Sequence, residues 1–297
     1  MRYPILTLGL MACLALDRSV AFSTTVTFTP IKDNTLCQDL AGATSNGAGT
    51  HLFVGRNNQP FLRRALVAFD LTAQIPAGAT INTVTLTLNM SRTQAGPENI
   101  ELHRVTFDWG EGLSDAGANE GKCATAVAPD ATWLHRMTPA STWAAAGGDF
   151  VVAPSATLSV GAVGTYTWAS TAAMVADAQM WLDQPASSFG WILIGNEAVD
   201  QTTKRFDSRE SLASGPKLTV DYTVVSQQAV LYGSLQKDPC LIIAAGNSVG
   251  TGANQVDFTP AAGSPLFYQV DSDVDCATQG PALLHMIKFA PGIRASF

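Results

Sequence analysis

Three groups of side chains in this chain could do chemistry. Trp109, Trp133 and Trp143 lie in or beside loops, where an indole face can stack on a pyranose ring while polar neighbours orient its hydroxyls. The basic candidates are Arg104 beside His103, Arg136 beside His135, and the cluster Lys204, Arg205 and Arg209, since a guanidinium can grip a carboxylate with two parallel hydrogen bonds. Asp108, Glu111, Asp115 and Glu120 crowd one long loop and could offer oxygens to Ca2+, although their spacing is not that of an EF-hand. Each group also has a plainer reading. The tryptophans could be plugs under their loops, and the acids a solvated loop. Arg205 and Arg209 could pair with Asp207, Glu210 and Glu197, and Arg63 and Arg64 with acids near them. Trp181 and Trp191 fall on the buried faces of a helix and a strand.

A catalytic set does not stand out. A glycosidase needs two carboxylates across a cleft, and a lyase needs a base such as His51, His103 or His135 beside a cation such as Arg56. No Gly-x-Ser-x-Gly, His-Glu-x-x-His or phosphate-cradling loop occurs. The expectation is therefore a chain that is not an enzyme.

The elements that must position these groups are β-strands. The chain has 297 residues, of which 46% are apolar and only 14% charged, with a net charge of -7. Its polar surface must come from Thr, Ser, Asn, Gln and Gly, as in extracellular β-proteins. No run of Lys or Arg supplies the basic face that nucleic acid requires. Val84, Leu86 and Leu88 alternate with Thr83, Thr85 and Thr87, the period of a half-buried strand. Thr25 to Phe28, His51 to Gly55, Ala65 to Phe69, Ile100 to Val105, Ala156 to Val160, Thr165 to Trp168, Arg205 to Arg209 and Lys217 to Val225 read the same way. Phe189 to Ile194 is continuously apolar, as in a strand covered on both faces. One helix interrupts the pattern: Ser170 or Thr171 can cap it, Met174, Val175, Ala178, Trp181 and Leu182 share a face, and Pro185 ends it.

The first residues read as a secretory leader, with Arg2, an apolar core from Pro4 to Leu16 and Ser19-Val20-Ala21 as the cleavage site. A lipobox at Leu10 to Cys13 is the rival reading. No later segment is long and apolar enough to anchor the chain in a membrane. Beyond the leader remain Cys37, Cys123, Cys240 and Cys276, an even set that suggests two disulfides in an exported chain. Four cysteines allow three pairings. Cys37–Cys123 and Cys240–Cys276 keep each bridge inside one proposed domain, and free buried thiols are the alternative.

Two blocks carry a family likeness. Arg64 to Leu71, then Ile75-Pro76-Ala77-Gly78-Ala79-Thr80-Ile81 and Thr85 to Leu88, resemble the R-x-L-x-x-F-D-L…I-P-x-G-A-x-I…L-x-L pattern of the DNRLRE family. Trp168 to Thr171, Trp181-Leu182 and Phe189 to Gly195 resemble that family's second element. Asp33-Asn34-Thr35-Leu36 sits at its opening, and Phe206 to Glu210 and Pro216 to Val220 resemble its closing strands. The likeness covers residues 24 to 225. Cys37, Cys123 and the long irregular stretch from Asp108 to Asp149 depart from it.

The resemblance implies an all-β, jelly-roll-like antiparallel β-sandwich with one short helix. The expected order is a leader over 1–21, the sandwich over 22–225 and a small loop-rich C-terminal β appendage over 226–297. It also implies a secreted, non-catalytic carbohydrate-binding module, for which an acidic uronate polysaccharide suits the basic candidates. The contact groups would be Trp109, Trp133, Trp143, His135, Arg136, Arg104, Arg205 and Arg209. A structural or adhesive surface protein binding another protein is the rival function, and a polysaccharide lyase or hydrolase the third.

Overall fold

Apolar side chains recurring at every second residue can be buried only if the strands carrying them stack as sheets. The computed structural model describes residues 18–59 and 61–230, with short strands further on at Ile243–Ala244, Gln255–Val256, Gln269–Val270 and Ile293–Ser296. In chain order the strands are β1 (Arg18–Phe28), β2 (Lys32–Cys37), β3 (Thr44–Ser45), β4 (His51–Arg56), β5 (Leu62–Ala68), β6 (Thr80–Thr93) and β7 (Glu98–Arg104). They continue as β8 (Ala124–Thr125), β9 (His135–Met137), β10 (Ser141–Thr142), β11 (Ala156–Val160), β12 (Gly164–Trp168), β13 (Trp191–Ile194), β14 (Lys204–Asp207) and β15 (Lys217–Val230). A helix, α1 (Ala172–Asp183), separates β12 from β13. The fold is an all-β antiparallel sandwich with this one α-helix among the described residues.

Residues 23–224 form one compact unit. Its first layer centres on β6, which pairs with β12 along one stretch and with β14 and β15 along others; β1 adds to β15. The second layer runs β11-β7-β13-β5-β2, with β3 and β8 beyond. Ile81, Val84, Leu86, Leu88 and Met90 of β6 point into the space between the layers, and Thr83, Thr85 and Thr87 point away. Ile81 and Val84 both face inward because the register with β15 slips between Asp221 and Tyr222, a bulge that absorbs one residue.

Strand β4 joins the two layers. His51 to Val54 pair with β14 in the first layer, whereas Gly55 and Arg56 pair with β5 in the second. The change of direction occurs at Gly55, whose φ of +113° is one that residues with a Cβ rarely adopt. A Cβ there would also lie 3.0 Å from Thr202 O.

The second layer is covered twice. Val67 and Phe69 of the β5 segment and Trp191 and Leu193 of β13 pack inward with β6 and α1. Leu66, Ala68 and Ile192 point the other way, into a second apolar cluster with Leu36, Val105, Trp109, Ala131, Trp133 and Trp143. The segment between β7 and β11 is thus a third layer with its own small core. Strands buried on both faces read as unbroken apolar runs, which accounts for Phe189 to Ile194.

Helix α1 closes one end of the sandwich. Thr171 Oγ1 accepts the Met174 N–H at 3.0 Å, satisfying an orphan donor of the first turn. Met174, Ala178, Trp181 and Leu182 enter the main core, where Trp181 meets Trp191 edge-on at 4.6 Å. Asp177 ties the helix down: it accepts from Ser155 Oγ and from Trp191 Nε1 and pairs with Arg104.

Cys37 and Cys123 form a disulfide across 86 residues of sequence, joining β2 to the end of the short 3-10 helix Gly117–Lys122. Cys240 and Cys276 lie outside the described residues, as does most of the expected leader. Residues 1–22 and 225–297 group into a second unit. Within it Ile243–Ala244 pairs antiparallel with Gln269–Val270, and Gln255–Val256 with Ile293–Ser296. No helix among the described residues is long and apolar enough to cross a membrane.

Gly55 is the residue on which the corner depends. Gly55→Ala should lower unfolding stability by about 1–3 kcal/mol, measured by urea denaturation, because it forces a strained φ and crowds Thr202. An unchanged midpoint would contradict the corner.

Candidate functional site

Strand alternation and register together build a cationic surface that no single segment announces. On β14, Lys204 and Phe206 face inward and Arg205 outward. Register places Arg205 opposite Phe53 of β4 on one side and opposite Arg92 of β6 on the other. Gly55 of β4 stands opposite Arg63 of β5. Arg92, Arg205, Phe53 and Arg63 therefore line one groove of about 530 Å³.

The 3-10 helix Gly117–Lys122 forms a wall of that groove and brings Lys122. It is pinned three times. The Cys37–Cys123 disulfide follows it directly. Arg63 Nη2 donates to Gly121 O at 3.2 Å. Glu120 accepts from Thr50 Oγ1 at 2.7 Å and contacts His51 Nδ1 at 2.9 Å. Asn57, Asn58, Gln59, Gln94 and Gln201 add neutral polar groups around the rim.

Charge in the groove is unbalanced. Arg63, Arg92, Lys122 and Arg205 line it with a single carboxylate, Glu120, which is already engaged by Thr50 and His51. None of the four cations has an ion-pair partner among the described residues. Arg92 and Arg205 are direct cross-strand neighbours, an arrangement that like charges disfavour. Arg63 is 4% exposed, and its Nε meets no hydrogen-bond acceptor. Burial alone lowers its pKa to about 10.

His51 also lines the groove, and its Nε2 stands 3.8 Å from Asp207 Oδ1. Burial works to raise the Asp207 pKa. Hydrogen bonds from Ser214, Asn89 and Ser91, together with His51, overcome it and hold the carboxyl below its usual range.

Of the residues expected to touch a ligand, only Arg205 lines the groove. Trp109, Trp133 and Trp143 are buried, at 1%, 7% and 5% exposure, so none offers a ring face for stacking. The apolar back of the second layer needs covering, and these indoles cover it. Trp109 Nε1 donates to Phe189 O and Trp143 Nε1 to Thr132 O. Lys32 stands over the Trp109 ring at 4.4 Å and Arg64 over Trp133 at 5.0 Å.

The other basic residues are occupied as well. Arg104 pairs with Asp177 of α1, and His103 is buried against Phe150. His135 contacts Thr132 Oγ1, and Arg136 donates to Asp108 O while lying over Phe107. Arg209 falls beyond the end of β14, so it does not share a face with Arg205. It pairs instead with Glu111 and Glu210. Lys204 is fully buried, and its ammonium donates to Thr93 Oγ1, Ala95 O and Gly96 O at the β6–β7 turn. Arg64 does pair with an acid, Glu197.

The acidic loop does not gather into a calcium site of the expected membership. Asp108 pairs with Lys32, Asp115 accepts the Gly117 N–H, and Glu120 serves Thr50 and His51. Glu111 turns toward Asp33 and Arg209.

Asp207→Asn should lower stability by about 1–2 kcal/mol at neutral pH, since the retained donors lose a charged acceptor. A depressed folded-state pKa stabilises above the unfolded value of about 4, and the benefit disappears as pH falls through the folded-state pKa. The gap between wild type and variant should thus close in acid, as read by thermal unfolding from pH 7 to pH 2.5. A gap independent of pH would count against this account. No family model matches the chain, and no curated protein matches it.

Proposed function

We propose that this chain is a secreted, non-catalytic carbohydrate-binding module for an acidic polysaccharide, held in the groove between Arg63, Arg92, Arg205 and Lys122. The observation that carries this reading is the adjacent pair Arg92 and Arg205, with Arg63 beside them and none of the three in an ion pair among the described residues. Like charges side by side, with a buried guanidinium next to them, are costly. A ligand carboxylate relieves that cost while fitting the planar guanidinium fork. A uronate polymer offers one carboxylate per sugar, and Asn57, Gln59, Gln94 and Gln201 suit its hydroxyls. The cleft focuses positive potential although the chain carries a net charge of -7. The leader-like start and the DNRLRE resemblance support the same reading.

The second reading is a lyase. It is favoured by His51, which shares the groove with the arginines and is held by Glu120. Incubation with polyuronate would release unsaturated oligosaccharides if His51 takes the C5 proton, and none if the groove only binds.

Affinity electrophoresis through gels containing polygalacturonate, alginate or a neutral glucan tests the binding reading. The expected result is retardation by the polyuronates alone, weakening with added salt. Arg92→Ala and Arg205→Ala should each reduce affinity about tenfold, the loss of one charged hydrogen-bonding group. Each should leave stability unchanged or raise it by about 0.2–1 kcal/mol, because cross-strand repulsion is removed. Free migration through every polyuronate gel would end this reading.

A further inference from the structure

Away from the groove, Asp33 of β2, Glu111 from the third layer and Glu210 from the turn after β14 bring their carboxylates together. One oxygen from each lies within 4.8 Å of the other two. None of these three residues lines the groove. Asp33 is 1% exposed. Its Oδ2 accepts the Arg209 backbone N–H at 2.8 Å, while its Oδ1 is buried and accepts nothing. An anionic oxygen with neither donor nor cation is rare inside a protein. The positive charge acting on the cluster is the Arg209 guanidinium, whose Nε is 2.6 Å from Glu111 Oε1 and 3.1 Å from Glu210 Oε1. One guanidinium faces three carboxyl groups, an acidic excess that one divalent cation would balance with all three ionised.

We propose that Asp33, Glu111 and Glu210 form a calcium site, with Asp33 Oδ1 as the ligand atom that has no other use. The donors are all carboxylate oxygens, which suit a hard cation. They come from three separate segments and form no octahedral cage, so the flexible coordination of Ca2+ fits better than that of Mg2+. The Arg209 side chain is 37% exposed and can swing into water as the ion enters, so it acts as a stand-in cation in the metal-free protein. Burial raises the Asp33 carboxyl well above its usual pKa, and Glu210 and Glu111 add to this, a burden that a bound dication would lift. The ion would join β2, the start of the third layer and the turn after β14.

The full chain, stripped with EGTA and dialysed, is titrated with CaCl2 or MgCl2 at matched ionic strength and followed by thermal unfolding and calorimetry. A site with few protein ligands should bind Ca2+ with a Kd of about 10⁻⁴ to 10⁻³ M. At 10 mM CaCl2, Tm should rise by roughly 3–10 °C. Asp33→Asn and Glu210→Gln should each abolish the rise, so a folding failure in one leaves the other to report. Arg209→Ala, which removes the competing cation, should enlarge it. Three results would overturn the proposal: no rise in wild type, an equal rise in both carboxamide variants, or an equal response to MgCl2.

Discussion

Two strands at the centre of the second layer, β5 and β13, are apolar on both faces, and that one constraint organises the rest of the molecule. A sheet with a single apolar face would be satisfied by its partner sheet. Here Leu66, Ala68 and Ile192 point away from that partner, so something else must exclude water from them. The stretch between β7 and β11 does so by folding back as a third layer. Its tryptophans are the bulkiest apolar groups available, and they are spent on this cover. The Trp109 and Trp143 indole N–H groups find backbone carbonyls, and Lys32 and Arg64 close two of the ring faces.

With the tryptophans consumed inside, the groove's chemistry is ionic. Several acids and bases neutralise one another locally, as in Arg64 with Glu197, Arg104 with Asp177 and Lys32 with Asp108. The groove escapes this neutralisation. Its arginines arise from β5, β6 and β14, and the nearby Asp207 on β14 is taken up by Asn89, Ser214 and His51. Its one carboxylate belongs to a wall that is fastened by Cys37–Cys123 and by His51. Such a wall holds the cations in place without cancelling them. The acid cluster at Asp33, Glu111 and Glu210 shows the opposite imbalance, with Arg209 as its partial counterweight.

The third layer thus links both sites. Glu111 lies a few residues before the groove wall at Gly117–Lys122, and the disulfide closes the segment directly after it. A segment held at both ends loses little conformational freedom when a ligand binds against it, which is how preorganised sites gain affinity.

Much of the scaffold was legible in one dimension. Period-two alternation identified β6, and a cap at Ser170 or Thr171 with Pro185 bracketed α1. Unbroken apolarity marked β13 as buried on both faces. These features are local, because backbone geometry alone fixes which way successive side chains point. The pairing of Cys37 with Cys123 was one of three possibilities that spacing left open. The groove was not legible. Arg63 and Arg64 look equivalent in sequence, yet opposite faces send one into the groove and the other to Glu197. Lys204 and Arg205 divide in the same way. The juxtaposition of Arg92 with Arg205 spans 113 residues and exists only through register. Sequence by itself determined which residues alternate and where the helix lies. Tertiary structure decided which charges meet and which aromatics stay open, because both depend on how strands distant in the chain are set side by side.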